Sequence, residues 1–188
     1  MKRSMITTLT ALAASLVLVA PAHGQLTVTD DPREGKKSSD IKKVTTHHNA
    51  KRVKIKTRTY AKTKLPHEMW HLVDTHGDAT PDFLVFVVIK NEVDPQPWVG
   101  VSRVDAWAKR KNPYRLLHRS EDVKCGLHQG RKRDRSELLV VVTGRGCFKT
   151  GGVMPKRLRV STFGTWEWGK ITDIAPAWRS YGKWVKAG

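Results

Sequence analysis

The sequence predicts an all-β protein, a two-sheet antiparallel sandwich of jelly-roll or immunoglobulin-like topology with about eight strands. Short stretches of alternating apolar and polar residues are separated by turn residues roughly every eight to fifteen positions, which is typical of all-β domains. No stretch of about ten or more residues combines a helical period with helix start and stop signals. The 188 residues suffice for one domain with a core and are too few for two large ones.

Residues 1–24 form a predicted signal peptide. A basic start precedes the apolar stretch from Met5 to Ala20, and Pro21 to Gly24 supplies the small residues that a signal peptidase requires. A membrane anchor needs about 20 predominantly apolar residues, and this stretch is shorter and contains Thr and Ser. We therefore expect cleavage after Ala22 or Gly24 and a secreted, soluble mature protein without a transmembrane segment.

The chain is strongly basic. Its 35 Lys and Arg against 17 Asp and Glu give a formal net charge of +18, and loss of Lys2 and Arg3 with the leader leaves +16. With 39% hydrophobic residues and seven Trp, the composition is far from that of a disordered chain. A charge of this size costs self-repulsion and indicates affinity for polyanions.

The polar residues 25–40 show neither a strand nor a helix period, which predicts a disordered leader before one β-sandwich domain over residues 41–188. That domain begins with a predicted hairpin. Strands from Ile41 to His47 and from Val53 to Tyr60 flank a turn at Asn49.

One later segment is apolar throughout. Phe83 to Ile89 predicts a central strand that is covered on both faces. The remaining predicted strands run from Met69 to Asp74, Trp98 to Trp107, Val123 to Leu127, Leu138 to Thr143 and Leu158 to Thr162.

Two cysteines follow the leader. An even count in an exported chain predicts one disulfide, Cys125–Cys147, and two buried thiols are the alternative. The bridge would connect the strand that ends at Leu127 with the end of the strand that reaches Thr143.

A run of cations alternates with apolar residues in the second predicted strand, so one side of the strand belongs to the core and the other is cationic. The cations are Arg52, Lys54, Lys56 and Arg58. A solvated sheet face is the ordinary interpretation of such a run. The high net charge supports the second interpretation, a binding site for anionic polymers, including non-specific binding of nucleic acid.

Aromatic residues are concentrated near the C-terminus. Among the cations there, Trp166 and Trp168 are candidate binding residues, because aromatic rings stack on bases or sugars. The alternative is that this cluster, which continues with Trp178, Tyr181 and Trp184, closes one end of the sandwich core.

The stretch from His67 to His71 matches the zinc motif H-E-x-x-H. In peptidases a helix places both His on one face, and the Glu activates a metal-bound water. Here Pro66 precedes the motif and alternation continues after it, which predicts an edge strand or loop. On a strand His67 and His71 lie about 13 Å apart, too far to share a zinc ion. We predict no metal, and zinc held by His67, His71 and His76 is the alternative.

Asp74 to Ala79, followed by Asp82, has the pattern of a degraded D-x-D-x-D-G calcium loop. His76 replaces the third-position acid and Ala79 the sixth-position Gly, so an oxygen ligand and the sharp turn are both lost. A polar hairpin turn is therefore predicted, with calcium as the alternative.

Several motifs resemble a group of secreted, largely uncharacterised actinobacterial proteins of similar length. The motifs are Trp70 to Thr75, Thr80 to Val85, the spaced Cys125 and Cys147, Asp173 to Pro176, and Trp184 with Val185. More distantly, the layout resembles DOMON and family 9 carbohydrate-binding sandwiches, whose members bind sugars, haem or nothing known. The resemblance implies a β-sandwich with a non-enzymatic role and transfers no catalytic residue, and no Met/His pair is placed as DOMON haem ligands require.

These observations predict a secreted, non-catalytic binding module whose basic face binds an anionic envelope or extracellular polymer, without a cofactor. Two alternatives stay open, an H-E-x-x-H zinc metallopeptidase and a passive structural extracellular protein with no ligand. A helix over residues 66–73 would favour the peptidase. One continuous basic face beside exposed Trp would favour binding, and a scattered basic surface would favour the passive role.

Overall fold

A computed structural model describes residues 25–32, 40–61, 67–90, 98–107, 113–119, 121–131, 136–143, 147–150, 152–153, 155–166, 170–177 and 179–188. In this part of the chain twelve strands form two antiparallel sheets, which confirms the predicted fold class. The strands are β1 (Gln25–Asp30), β2 (Ile41–His48), β3 (Arg52–Thr59), β4 (His67–Asp74), β5 (Phe83–Ile89), β6 (Trp98–Arg103), β7 (Glu121–Asp122), β8 (Gly126–Arg131), β9 (Glu137–Thr143), β10 (Arg157–Trp166), β11 (Lys170–Ala175) and β12 (Val185–Lys186). A 3-10 segment, Pro113–Arg119, lies between β6 and β7.

The first sheet has five strands in the order β1-β2-β3-β9-β8, and the second has seven, in the order β11-β10-β4-β5-β6-β7 with β12 also paired to β10. The predicted count of about eight strands is too low. Alternation revealed β2 to β6 and β8 to β10, and it missed β1, β11 and the two-residue strands β7 and β12. The strand predicted from Val123 to Leu127 begins later, at Gly126.

The prediction of disorder over residues 25–40 is wrong for the six residues Gln25–Asp30. They form the edge strand β1, which pairs with β2 from Gln25↔His48 to Asp30↔Lys43. Its side chains are mostly exposed, so the strand is held by backbone hydrogen bonds to β2. Such backbone pairing cannot be inferred from amino-acid composition. The predicted signal peptide, residues 1–24, lies outside the described residues. No helix in the described residues has the length and hydrophobicity that crossing a membrane requires.

The second sheet is covered on both faces, because every residue of β4 and β5 is buried. On one face, Met69, Val73 and Val85 belong to the core between the two sheets. On the other, Trp70 and Phe86 belong to a second apolar cluster with Leu116 of the 3-10 segment. The prediction that Phe83–Ile89 is a central strand is therefore confirmed.

Cys125 and Cys147 form the predicted disulfide, with Cα atoms 5.6 Å apart. Cys125 lies just before β8 and Cys147 follows β9, so the bridge joins two neighbouring strands of the first sheet near one end. Cys147 is buried in the core between the sheets.

Candidate functional site

The outer side of β3 carries the four predicted cations. Val53, Ile55 and Thr57 of this strand are buried, and the positions between them are exposed or half-buried. Because successive side chains of a strand point to opposite faces, the cations form one row with about 6.7 Å between neighbours. The predicted alternation is confirmed, and the binding role of this row stays a prediction.

The β2–β3 turn determines where this row begins. Asn49 Oδ1 accepts hydrogen bonds from the backbone N–H groups of Lys51 and Arg52, both at 3.0 Å. The Asn49 N–H donates in turn to the Arg52 carbonyl oxygen at 3.0 Å. Asn is favoured in turns because its side chain satisfies backbone groups in this way. The turn therefore presents Lys51 and Arg52 consecutively at one end of the sheet.

Pairing with β2 widens the row into a two-strand basic face. Lys43 pairs with Arg58, and His47 pairs with Lys54. The face contains a surface depression of about 420 Å³, lined by Leu26, Lys43, Thr45, His47, Arg52, Lys54, Lys56 and Arg58. We call the six cationic or imidazole side chains in this lining the basic face. Lys43 and His47 were not among the predicted binding residues, because the register between two strands is not visible in the period of either one.

Two acids neutralise one end of the basic face. Glu137 on β9 contacts Lys56 Nζ at 3.0 Å and Arg58 Nε at 2.7 Å. Asp30 on β1 lies 3.6 Å from Lys43 Nζ. An anion that approaches this end must compete with carboxylates already in place, so Lys56 and Arg58 are weaker candidates than their exposure alone suggests.

The opposite end lies next to the turn. Lys51, Arg52 and Lys54 form no ion pair within the described ranges, in contrast to Lys43, Lys56 and Arg58, and all three are exposed. We call these three residues the open basic end. Its cations do not have to leave a protein carboxylate before they bind a ligand.

The predicted site also includes two aromatic residues, Trp166 and Trp168. Trp168 lies outside the described residues, and Trp166 ends β10 with its backbone paired to Lys170. Two other aromatics of the C-terminal cluster pack against cations of the protein. Arg157 lies 4.4 Å from the Trp184 ring centroid, and Arg159 lies 4.7 Å from the rings of both Tyr181 and Trp184. Tyr181 packs against the second apolar cluster, on the face of the second sheet that points away from the core between the sheets, and the binding role of the aromatic residues stays a prediction.

The H-E-x-x-H stretch forms β4, between β10 and β5. The prediction of an edge strand or loop is wrong, because β4 is an interior strand with every residue buried. His67 and His71 share the face of Met69, which points into the core between the sheets. Burial lowers the pKa of His67 to about 4 and that of His71 to about 3. Both imidazoles are therefore neutral at pH 7, and they do not have the one-turn spacing of the helical zinc motif.

Glu68 points to the opposite face of β4. Its carboxylate accepts hydrogen bonds from the Tyr114 hydroxyl, the Thr165 hydroxyl and, at 3.2 Å, Trp70 Nε1. Burial and the neighbouring carboxylate raise the pKa of the Tyr114 hydroxyl well above its usual value. Glu68 thus anchors the 3-10 segment to the sheet through Tyr114, on the face of β4 opposite to His67 and His71.

The third imidazole and the degraded calcium loop form the turn after β4. Asp74 accepts backbone hydrogen bonds from His76 at 3.0 Å and Gly77 at 2.7 Å and bonds to Arg159 at 2.6 Å. Asp82 bonds to His76 Nδ1 at 2.6 Å. These carboxylates are occupied by protein donors, as in the polar hairpin turn that the sequence predicts.

The sequence did not reveal one group of three buried aspartates. Among the residues that the structure describes, Asp31, Asp40 and Asp173 are buried with their carboxylate oxygens within 4.8 Å of one another. Asp173 accepts a hydrogen bond from the Ile41 N–H. Oxygen ligands of this kind suit hard cations. No spacing rule could reveal the group, because the fold brings Asp173 to two acids that flank residues 33–39.

Comparisons with protein-family models, curated proteins and solved structures find no match to this chain. The resemblance to secreted actinobacterial proteins and to carbohydrate-binding sandwiches therefore stays a prediction.

Proposed function

We propose that this protein is a secreted, non-catalytic binding module that docks on anionic polymers of the cell envelope or its surroundings through the basic face. One observation carries the proposal. In the open basic end, Arg52 and Lys54 line a surface depression and Lys51 lies in the adjoining turn, and none of the three forms an ion pair in the described chain.

The charge of the whole chain supports the same function. The net charge of +18 for the full chain attracts polyanions over long range, and the basic face provides the local contacts. A row of cations about 6.7 Å apart contacts the repeating charges of a polymer and does not distinguish one base or sugar from another. We therefore expect binding without sequence specificity.

The non-catalytic part of the proposal is supported by the environment of the motif that resembles a metallopeptidase. His67 and His71 are buried between the sheets, and the pKa of each is far below its usual value because of desolvation. Glu68 lies on the other face of β4, hydrogen-bonded to Tyr114 and Thr165. The three side chains that a peptidase would use together are thus separated by the strand itself.

The test is the salt dependence of binding to a short DNA duplex, measured with the chain that begins at Gln25. For duplex DNA, log affinity falls with log salt at a slope of about −0.9 per phosphate neutralised. Arg52→Gln together with Lys54→Gln should flatten this slope by about two units. Lys56→Gln together with Arg58→Gln should flatten it by about one unit or less, because Glu137 already neutralises those cations.

The matched control is Lys156→Gln with Lys183→Gln, which removes the same charge from exposed positions away from the basic face. It should leave the slope within about half a unit of the parent value. If the control flattens the slope as much as the Arg52 and Lys54 pair, total charge explains binding and this face is not the site. If the parent binds no polyanion at low salt, the passive structural role replaces the proposal.

A further inference from the structure

We propose that the basic face also docks on an anionic lipid membrane, and that Leu26 and Val28 of β1 enter its headgroup region beside this face. This inference rests on the proposed function, because it extends the affinity of the same face for anionic polymers to an anionic lipid surface. It differs in requiring apolar contacts as well as charge.

Two rows of outward-facing side chains cross the first sheet, and each has a cation between apolar ends. In the row nearest the turn, Leu26 pairs with His47, His47 with Lys54, and Lys54 with Val141. The next row has the same order, Val28, Thr45, Lys56 and Leu139. Adjacent strands are about 4.8 Å apart, so each apolar side chain of β1 lies roughly 10 Å from the cation of its row.

The apolar side chains of β1 are open to solvent. Leu26 is 56% exposed and Val28 is 37% exposed. Single exposed apolar residues need no explanation, but these two are neighbours on one face of one strand and lie in register with the cations. A hydrated polyanion would cover the charges and leave both side chains in water.

An anionic bilayer accommodates both kinds of side chain at once. Each Lys or Arg close to an anionic membrane strengthens binding about fivefold, and apolar side chains gain by entering the boundary between headgroups and acyl chains. Long cationic side chains also reach past their apolar stems, so the charged groups can stay at phosphate depth while Leu26 inserts more deeply.

The positions of the acids orient the docked protein. Asp30 ends β1 beside Lys43, and Glu137 lies beside Arg58. Both acids are at the end of the sheet that is away from the β2–β3 turn, where anionic lipids would repel them. The open basic end and Leu26 therefore approach the membrane first, and β1 is accessible because it is the edge strand of its sheet.

The experiment compares partition onto vesicles of phosphatidylcholine and phosphatidylglycerol with binding to a DNA duplex in the same buffer. Leu26→Thr with Val28→Thr removes apolar surface but keeps residues that favour a strand. We expect this pair to lower partition onto vesicles roughly tenfold and to change DNA affinity by less than about twofold. Arg52→Gln with Lys54→Gln should lower partition roughly 30-fold and should also weaken DNA binding.

Val153→Thr is the matched control, because Val153 is 67% exposed and lies outside both sheets. It should bind vesicles like the parent. Thermal unfolding of each variant should match the parent, which separates lost binding from lost folding. If the Leu26 and Val28 pair partitions like the parent while the Arg52 and Lys54 pair loses binding to DNA, the membrane inference is overturned and the proposed function stands. If neither vesicles nor DNA bind the parent, the proposed function fails with it.

Discussion

Lowering the pH should destabilise the fold through the two imidazoles buried in β4. Burial lowers the pKa of His67 to about 4 and the pKa of His71 to about 3, from the ordinary imidazole value of 6.5. In the unfolded chain both groups bind a proton near pH 6.5, whereas in the folded protein they do not. The free energy of unfolding is therefore undiminished above pH 6.5 and falls as the pH drops, until each folded-state pKa is reached.

The size of the effect follows from the two pKa differences. Each pH unit between the unfolded and folded pKa costs about 1.4 kcal/mol per group. From pH 6.5 to pH 5 each His therefore costs about 2 kcal/mol, and the pair about 4 kcal/mol. The free energy of unfolding of a single domain is about 5–15 kcal/mol. Much of the stability should therefore be lost by about pH 5, where most carboxylates are still ionised.

Urea unfolding followed by tryptophan fluorescence, at several pH values from 7.5 down to about 5, measures this loss. In His71→Asn the amide can keep the hydrogen bond to Thr162 but cannot titrate, so the decline over this range should be smaller by about 2 kcal/mol. Any constant loss of stability in the variant does not affect this comparison. His128→Asn, at an exposed position of β8, should decline like the parent. An equally steep decline in His71→Asn and the parent would refute the reasoning.

Three further outcomes are expected. Gly100→Ala should lower the free energy of unfolding by about 1–3 kcal/mol, since its Cβ would lie 2.3 Å from the buried Phe86 ring, whereas Gly130→Ala, with no neighbour nearer than 4.0 Å, should melt like the parent. Glu68→Gln should cost about 1–3 kcal/mol in chemical unfolding, because an amide N–H₂ replaces an oxygen that accepts from buried donors; an unchanged unfolding midpoint would contradict this. Protein purified without chelator should hold no stoichiometric zinc by elemental analysis, and zinc that disappears in His71→Ala would revive the peptidase.

The fold class was predictable because it depends on local periods. The alternation in β3 and the apolar run in β5 each appear within a few residues, and both are confirmed in the structure. The edge strand β1 was not predictable in this way. Its side chains bury little surface, and its main-chain partner β2 lies beyond a polar stretch, so composition indicated disorder.

The two His of the zinc-like motif show a similar limit. The sequence indicated an edge strand or loop at the motif and a strand from Met69 to Asp74, since Pro66 and the later alternation both argue against a helix. It could not show that this strand is interior, because burial of β4 depends on its neighbours β5 and β10. That burial removes both imidazoles from solvent and lowers the pKa of each.

By itself, the sequence determined that this chain is a basic all-β protein and that four cations share one side of β3, because a strand places every second residue on the same face. Only the tertiary structure decided which of those cations are available. Glu137 reaches Arg58 across 79 positions of the chain, while Arg52 and Lys54 form no ion pair in the part of the chain that the structure describes, and Lys54 has Leu26 in register across β2. The physical reason is that the carboxylates and apolar side chains that surround each cation come from neighbouring strands. Which strands become neighbours depends on contacts between residues that are far apart in the sequence.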